Sequence, residues 1–326
     1  MNLRTEYEVA LAAVTRASLL TRSLQSELAG QAMSKGDRSP VTLADYCSQM
    51  LICREISLAF PNDGIIAEEH SQDLLEGKAP GMAEQIVAIA RREADPAADL
   101  QLAFAWIDHG RDVTSSRQWV LDPIDGTKGF LRGGQFAVAL GLMIDGKVVL
   151  GMLGCPNLIH DASHSGCILG ATLGGGTRQH ALDDPLLFRA ISTSTVGSGP
   201  ELSFVESVES GHSDHSTQDL LKDRLGAAQA EPVRIDSQAK YAVVARGEAA
   251  VYLRLQSPKT PDYRQKIWDH AAGVLVLTEA GGRATDQFGA ELDFSAGATM
   301  RNNTGVVATN GVCHDEVIAT LQELQK

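Results

Sequence analysis

Four apolar segments follow one another between Trp119 and Gly175: WVLD, QFAVALGLMI, KVVLGMLGCP and GCILGATLGG. Each is strand-like, and the Asp145-Gly146 pair between the second and third is a hairpin signal. A chain with such a block is committed to a mostly antiparallel sheet, which must bury its apolar faces against other layers. Helical patterns come before it. The first thirty residues carry Val9, Ala12, Ala13, Leu19 and Leu20 among good helix formers, and a second helix shows the stripe Tyr46, Met50, Cys53, Ile56 and Phe60 before Pro61 stops it. GIIAEEH reads as a short strand, and residues 71–118 are weakly patterned apart from a helix near 82–92. Beyond the glycines and DDPLLF of 173–188, strands alternate with helices: RAISTS, a helix near 217–225, KYAVVARG, the strand AAVYLRL, a helix from Trp268 to Ala280, GGRATD, GVVATN and a terminal helix. An α+β part followed by an α/β part predicts stacked layers in two subdomains, 1–180 and 181–326.

The 326 residues carry a formal charge of −13, which repels nucleic acid and anionic membrane, so neither is an expected partner. An anionic substrate would then need local positive charge. The odd set of cysteines (Cys47, Cys53, Cys155, Cys167 and Cys313) has no CxxC pair and reads as core thiols of a reducing compartment. No leader-like pattern is present, and the longest apolar stretch falls short of a membrane span. A cytoplasmic protein is expected, a monomer rather than an obligate oligomer.

Within WVLDPIDGTKGFLRGG, Asp122 and Asp125 end an apolar strand, Pro123 restricts the bend, and Gly126-Thr127 open a helix. Two hard oxygen ligands at a rigid bend suit Mg²⁺, and amides at a helix start can face an anion. A solvated turn with an aspartate cap is the plain alternative, but five constrained positions in a row argue against it. Asp45 follows a proline-fixed loop, Glu68 and Glu69 end a short strand, and Asp269 precedes an alanine-glycine-rich helix. Singly, each has an ordinary reading as a cap or a solvated charge. Together with Asp122 and Asp125 they supply carboxylates for two or three divalent ions, and a pair of ions can clamp both oxygens of a phosphoryl displacement.

WVLDPIDGTKGFLR and IWDHAAGVLVLTEAGG resemble the paired signatures of the lithium-sensitive, magnesium-dependent phosphomonoesterases that include inositol monophosphatase. KGFLRGGQFAVALGLMIDGKVVLGMLGCPN, VESGHSDH, DSQAKYAV and VYLRL are similar to the 3′(2′),5′-bisphosphate nucleotidase branch, the fungal and plant salt-tolerance phosphatases. The match runs from about Asp37 to the C-terminus. The resemblance implies a layered αβαβα sandwich and removal of the 3′-phosphate from adenosine 3′,5′-bisphosphate, a small-molecule substrate. It also implies the ligand sets: Glu68, Asp122 and the Ile124 carbonyl for one Mg²⁺, and Asp122, Asp125 and Asp269 for a second. Asp45 and Thr127 would orient and deprotonate the attacking water, while Glu69 would only support the metal shell.

By the same resemblance, His212, Ser237, Lys240 and Arg254 contact the nucleotide, along with Thr127 and Asp269. Lys240 and Arg254 would supply the local positive charge that an acidic protein needs for a second phosphate. As plain residues they could equally be surface charges, and His212 and His215 loop polars. The sequence departs from the family at TLGGGTRQHALDD, where the glycines read as turn residues or a flexible link, and at AGATMRNNTGVV. An inositol phosphate phosphatase with the same metals, and a non-catalytic nucleotide sensor, are the competing expectations.

Overall fold

A computed structural model describes residues 1–30, 42–75, 81–208 and 215–324. In chain order the elements are α1 (Arg4–Gly30), α2 (Leu43–Ala59), β1 (Gly64–Ala67), α3 (Ser71–Leu75), α4 (Met82–Glu93), α5 (Leu100–Ile107), β2 (Arg117–Asp125) and α6 (Thr127–Leu131). The sheet-forming block follows as β3 (Ala137–Ile144), β4 (Lys147–Cys155), β5 (Cys167–Thr172), β6 (Thr177–Ala181) and β7 (Phe188–Ile191). The remainder comprises β8 (Phe204–Glu206), α7 (His215–Arg224), β9 (Val233–Arg234), α8 (Ala239–Ala245), β10 (Val251–Arg254), α9 (Ala271–Glu279), β11 (Arg283–Thr285), β12 (Val306–Thr309) and α10 (His314–Leu324).

Among the described residues these strands form two sheets, one of seven in the order β1 to β7 and one of five in the order β11-β12-β10-β8-β9. Alternation along the strands sorts side chains onto opposite faces. In β3, Val138, Leu140 and Leu142 pack against α1 and α2, while Ala137 and Ala139 face α8 and α9 between the sheets. Val205, Tyr252 and Ala308 close that middle layer from the smaller sheet, whose outer face packs Phe204, Leu253 and Val307 against α7 and α10. The layering is therefore αβαβα, as the resemblance implies.

The hairpin forms where expected: Asp145 and Gly146 both have positive φ (51° and 76°), as a type I′ turn between β3 and β4 requires. Residue 180, the expected division, falls inside β6, and the large sheet continues through β7 to Ile191. The glycines of TLGGG make the β5–β6 turn, where the amides of Gly174 and Gly176 donate to the Glu279 carboxylate at the end of α9. All five cysteines are buried and free. No helix among the described residues is long and apolar enough to cross a membrane.

Candidate active site

The site starts where two parallel strands end together. β1 pairs with β2 through Ala67↔Leu121, and the Glu68 amide donates to the Leu121 carbonyl at 3.3 Å. Glu68 and Asp122 thus emerge side by side at the carboxyl ends of their strands. Pro123 cannot continue the ladder. The register against β3 slips there, from Asp122↔Ala139 to Asp125↔Ala137, which gives β2 one extra residue and turns the chain into α6. Helix α2 braces both turns. Ser48 Oγ donates to the Pro123 carbonyl at 2.8 Å, and Gln49 clasps the Glu69 backbone from both sides (2.8 and 3.1 Å). Asp45 is the third residue of α2 and is only 2% exposed; its Oδ2 accepts from both the amide and the hydroxyl of Thr42, a capping box. The cap proposed as the ordinary role of Asp45 is therefore real, and it also fixes the carboxyl at the cleft.

Gly126, with φ 86°, starts α6, and a Cβ there would stand 2.9 Å from Ser237 Cβ. A Cβ on Gly129 would meet the Gln135 carbonyl at 2.4 Å and the Asp236 carboxylate at 2.8 Å. Without side chains at these two positions, segment 236–238 lies directly against α6. The Gln238 amide then donates to Asp125 Oδ2 at 2.6 Å, and Arg132 pairs with Asp236 at 2.5 Å. Thr127 Oγ donates to the Ile124 carbonyl at 3.3 Å. From β10, Arg254 reaches Asp269 Oδ2 at 3.5 Å, and Lys240 of α8 sits over the Tyr252 ring at 5.3 Å. A cavity of about 260 Å³ is lined by Asp125, Thr127, Ser237, Lys240, Arg254 and Asp269, with Lys128, Ser207, Asp236, Gln238 and Tyr252 completing its wall.

Crowded acids resist ionisation. Burial, then the charges of Asp269, Asp45 and Asp125, push the Glu68 carboxyl up to about 7, although its side chain is open to the cleft mouth. Burial takes Asp45 to about 7 against the Thr42 hydrogen bonds, and Asp269 to about 6 against Arg254. Burial, Asp45 and Glu68 carry Glu69 to about 8. Asp122 is held well above the usual carboxylate range by burial and by Glu68, and Asp125 is raised by burial despite Lys240 and Arg254. Lys240, 3% exposed, is lowered by burial to about 8, with Asp125 resisting. It is no surface charge.

Asp122 Oδ1 is buried and has no hydrogen-bond partner. Leaving such an acceptor unsatisfied is costly, and a divalent cation is the partner its neighbours fit. Among the described residues no three acidic, histidine or cysteine side chains are closed into a ready-made metal cage. Mg²⁺ commonly keeps several waters and shares its shell with phosphate oxygens, so an open acidic half-shell facing a cavity is compatible with it.

Of the residues singled out from sequence, burial and charge gather Asp45, Glu68, Asp122, Asp125 and Asp269 into one acidic group, with Ile124 and Thr127 on the same bend. Ser237, Lys240 and Arg254 share the adjoining cavity. His212 lies outside the described residues. Sequence reasoning missed Ser48, Gln49, Gln238 and Tyr252. The first three act through contacts between distant segments, which no local pattern announces, although Gln238 stands inside the DSQAK stretch that drew attention for its neighbours.

The chain matches the Inositol monophosphatase family over residues 2–326, and it belongs to that family. Within it, the chain is 42% identical to 3′(2′),5′-bisphosphate nucleotidase 1 of Candida albicans, over 98% of this chain and 96% of the relative. It is 40% identical to the 3′(2′),5′-bisphosphate nucleotidase of Emericella nidulans, with both chains covered in full, and 40% identical to that of Oryza sativa, covering 98% and 94%. Among solved structures, inositol monophosphatase from Anabaena superposes with a TM-score of 0.63 at 20% identity, over 99% of this chain and 96% of its own. The IMPase of Thermotoga maritima gives 0.63 at 21%, covering 98% and 97%. These likenesses establish the layered fold.

Proposed function

We propose that the chain is a magnesium-dependent 3′(2′),5′-bisphosphate nucleotidase. It removes the 3′-phosphate of adenosine 3′,5′-bisphosphate to give AMP, and accepts the 5′-phosphosulfate analogue as well. The carrying observation is a cavity that sets the acids Asp125 and Asp269 beside the cations Lys240 and Arg254, with the partnerless Asp122 oxygen in the same acidic group. A monoester needs only the acids. The buried cations call for a second anionic group on the same substrate.

Glu68, Asp122 and the Ile124 carbonyl would hold one ion, and Asp122, Asp125 and Asp269 a second, with a third allowed by the remaining acids. When bound, the ions would lower the pKa of water and neutralise charge gathering on the phosphate. The protein does the rest by placement. Thr127 donates its hydroxyl proton to the Ile124 carbonyl, so its oxygen lone pairs can accept a hydrogen bond from the attacking water and orient it. Asp45, fixed by Thr42, is the carboxylate that takes up the proton given up by the attacking water, and its raised pKa of about 7 suits a base working near neutrality. Lys240 and Arg254, held over and beside Tyr252, bind the phosphate that is not cleaved. Ser237 and His212 complete the contacts to the nucleotide.

The test is phosphate release from adenosine 3′,5′-bisphosphate and from inositol 1-phosphate in Mg²⁺, with and without millimolar Li⁺. Strong preference for the nucleotide, lost in Li⁺, is the expected result. Preference for the inositol ester would keep the acidic site and overturn the roles of Lys240 and Arg254. Tight binding of the bisphosphate without turnover would make the protein a sensor.

A further inference from the structure

Asp125 ends a strand of the large sheet, whereas Asp269 precedes a helix buried between the sheets. Two ligands of one ion must keep a fixed spacing, yet no turn of chain connects them. Gln238, 2% exposed, touches the supports of both. Its backbone amide donates to Asp125 Oδ2 at 2.6 Å. Its side-chain Nε2 donates to the Trp268 carbonyl at 2.8 Å, on the peptide that leads into Asp269. Its Oε1 accepts from the Gly273 amide at 3.1 Å. Gly273 lies in the first turn of α9, where amides have no intrahelical acceptor, and His270 at the cap position makes no side-chain capping bond. Gln238 therefore caps α9 from another element.

Its own placement is enforced. Ser237 adopts φ 72°, a left-handed conformation unusual for serine, pressed against Gly126. A non-glycine residue held there is strained and persists only where its surroundings demand it. Here the demand is to turn the Gln238 amide toward Asp125 and its side chain toward α9.

We infer that Gln238 is a positioning residue that sets the spacing of Asp125 and Asp269, and hence the affinity of the ion they share. The inference rests on the two-ion reading above and adds a residue outside the proposed ligand sets, whose side chain is spent on the Trp268 carbonyl and the Gly273 amide. Loss of such an outer partner typically weakens metal binding by about 10–100-fold.

The experiment is calorimetric titration of the full chain with Mn²⁺ alone, without substrate, with thermal melting alongside. Gln238→Met keeps length and backbone amide but loses both side-chain bonds. Gln179→Met, at another fully buried glutamine far along the sheet, controls for stability, and Glu68→Gln identifies the ion class that does not depend on Asp269. Expected is a 10–100-fold weaker affinity confined to the class that survives Glu68→Gln, with melting close to the Gln179→Met control. Equal weakening of both classes, or a fall in melting temperature with both affinities kept, would reduce Gln238 to a helix cap. If Gln238→Met does not fold, Gln238→Glu keeps the acceptor for Gly273, loses the donor to Trp268, and is judged by the same criterion. Absence of Mn²⁺ binding by the unmutated chain would instead overturn the two-ion reading and this inference with it.

Discussion

Asp122 is the residue on which most of the site's electrostatics converge: buried, beside Glu68, and with one oxygen left without a donor. If that oxygen serves both ions, Asp122→Asn removes a shared ligand at almost no change in volume. Losing an outer partner alone costs about 10–100-fold, so phosphate release should fall by more than about 100-fold. The same substitution removes one of several repelling carboxylates, so the metal-free variant should melt above the unmutated protein. Near-normal turnover in a phosphate-release assay would sink the two-ion assignment, and a lower metal-free melting temperature would deny the crowding. Lys240 makes a different claim. A charge-assisted hydrogen bond is worth about 1.5–3 kcal/mol, so Lys240→Ala should lower kcat/KM for the bisphosphate by about 10–100-fold. It should leave a simple nucleoside 3′-monophosphate much less affected. Equal losses on both substrates would remove Lys240 from the second-phosphate role.

At the level of elements, the junction between α6 and segment 236–238 joins the two halves of the site, and it has no spare room. Gly129→Ala would put a methyl group against the Gln135 carbonyl, a backbone atom that cannot rotate away, and against the Asp236 side chain, which is held by Arg132. Overpacking of this kind costs about 1–3 kcal/mol. Denaturant unfolding should show that loss, and activity should fall further than stability because Asp125 and Gln238 are pushed apart; unchanged unfolding would mean that the junction can give. Such a junction cannot be seen in a sequence, whereas its components partly can. The apolar runs of β3, β4 and β5 and the stripe of α2 were legible because strand and helix periods are local, and the carboxylate-bearing bend was legible because proline, glycine and aspartate punctuate it. Helix α5, LQLAFAWI, is apolar nearly all round and offers no period; its Asp99 cap, bonded to Leu102, was the available signal. KYAVVARG is rich in β-branched residues yet forms α8, because a fully buried position between two sheets overrides weak propensity. The strand in RAISTS was expected with the second half, but β7 pairs with β6, a choice of sheet made by hydrogen bonding across the chain rather than by its own residues.

Across the whole molecule, the acidic group makes stability depend on pH in a direction opposite to that of most proteins. Asp45 and Glu68 titrate near 7, Glu69 near 8 and Asp269 near 6, all above the ordinary carboxylate range. At these acids the folded state thus binds more protons than the unfolded chain between about pH 4 and 8, while histidines that burial holds below their usual range, His270 and His314 among them, work in the opposite sense below about 6.5. The acids' contribution to stability is fully present below the unfolded values near 4 and is lost as pH rises through 6 to 8, because folding must then hold uncompensated carboxylates together. A divalent cation replaces those protons, so its binding releases them and removes the penalty. The metal-free chain, kept in chelator, should therefore melt at progressively lower temperature from about pH 6.5, where the histidines are already neutral, to pH 8, while saturating Mg²⁺ should flatten the profile and stabilise most at pH 8. Scanning calorimetry across that range, with and without Mg²⁺, decides the matter. Parallel profiles would mean that the acids are neutralised within the protein and that the cation is not what gathers them, which would leave the net charge of −13 without its local remedy at the site.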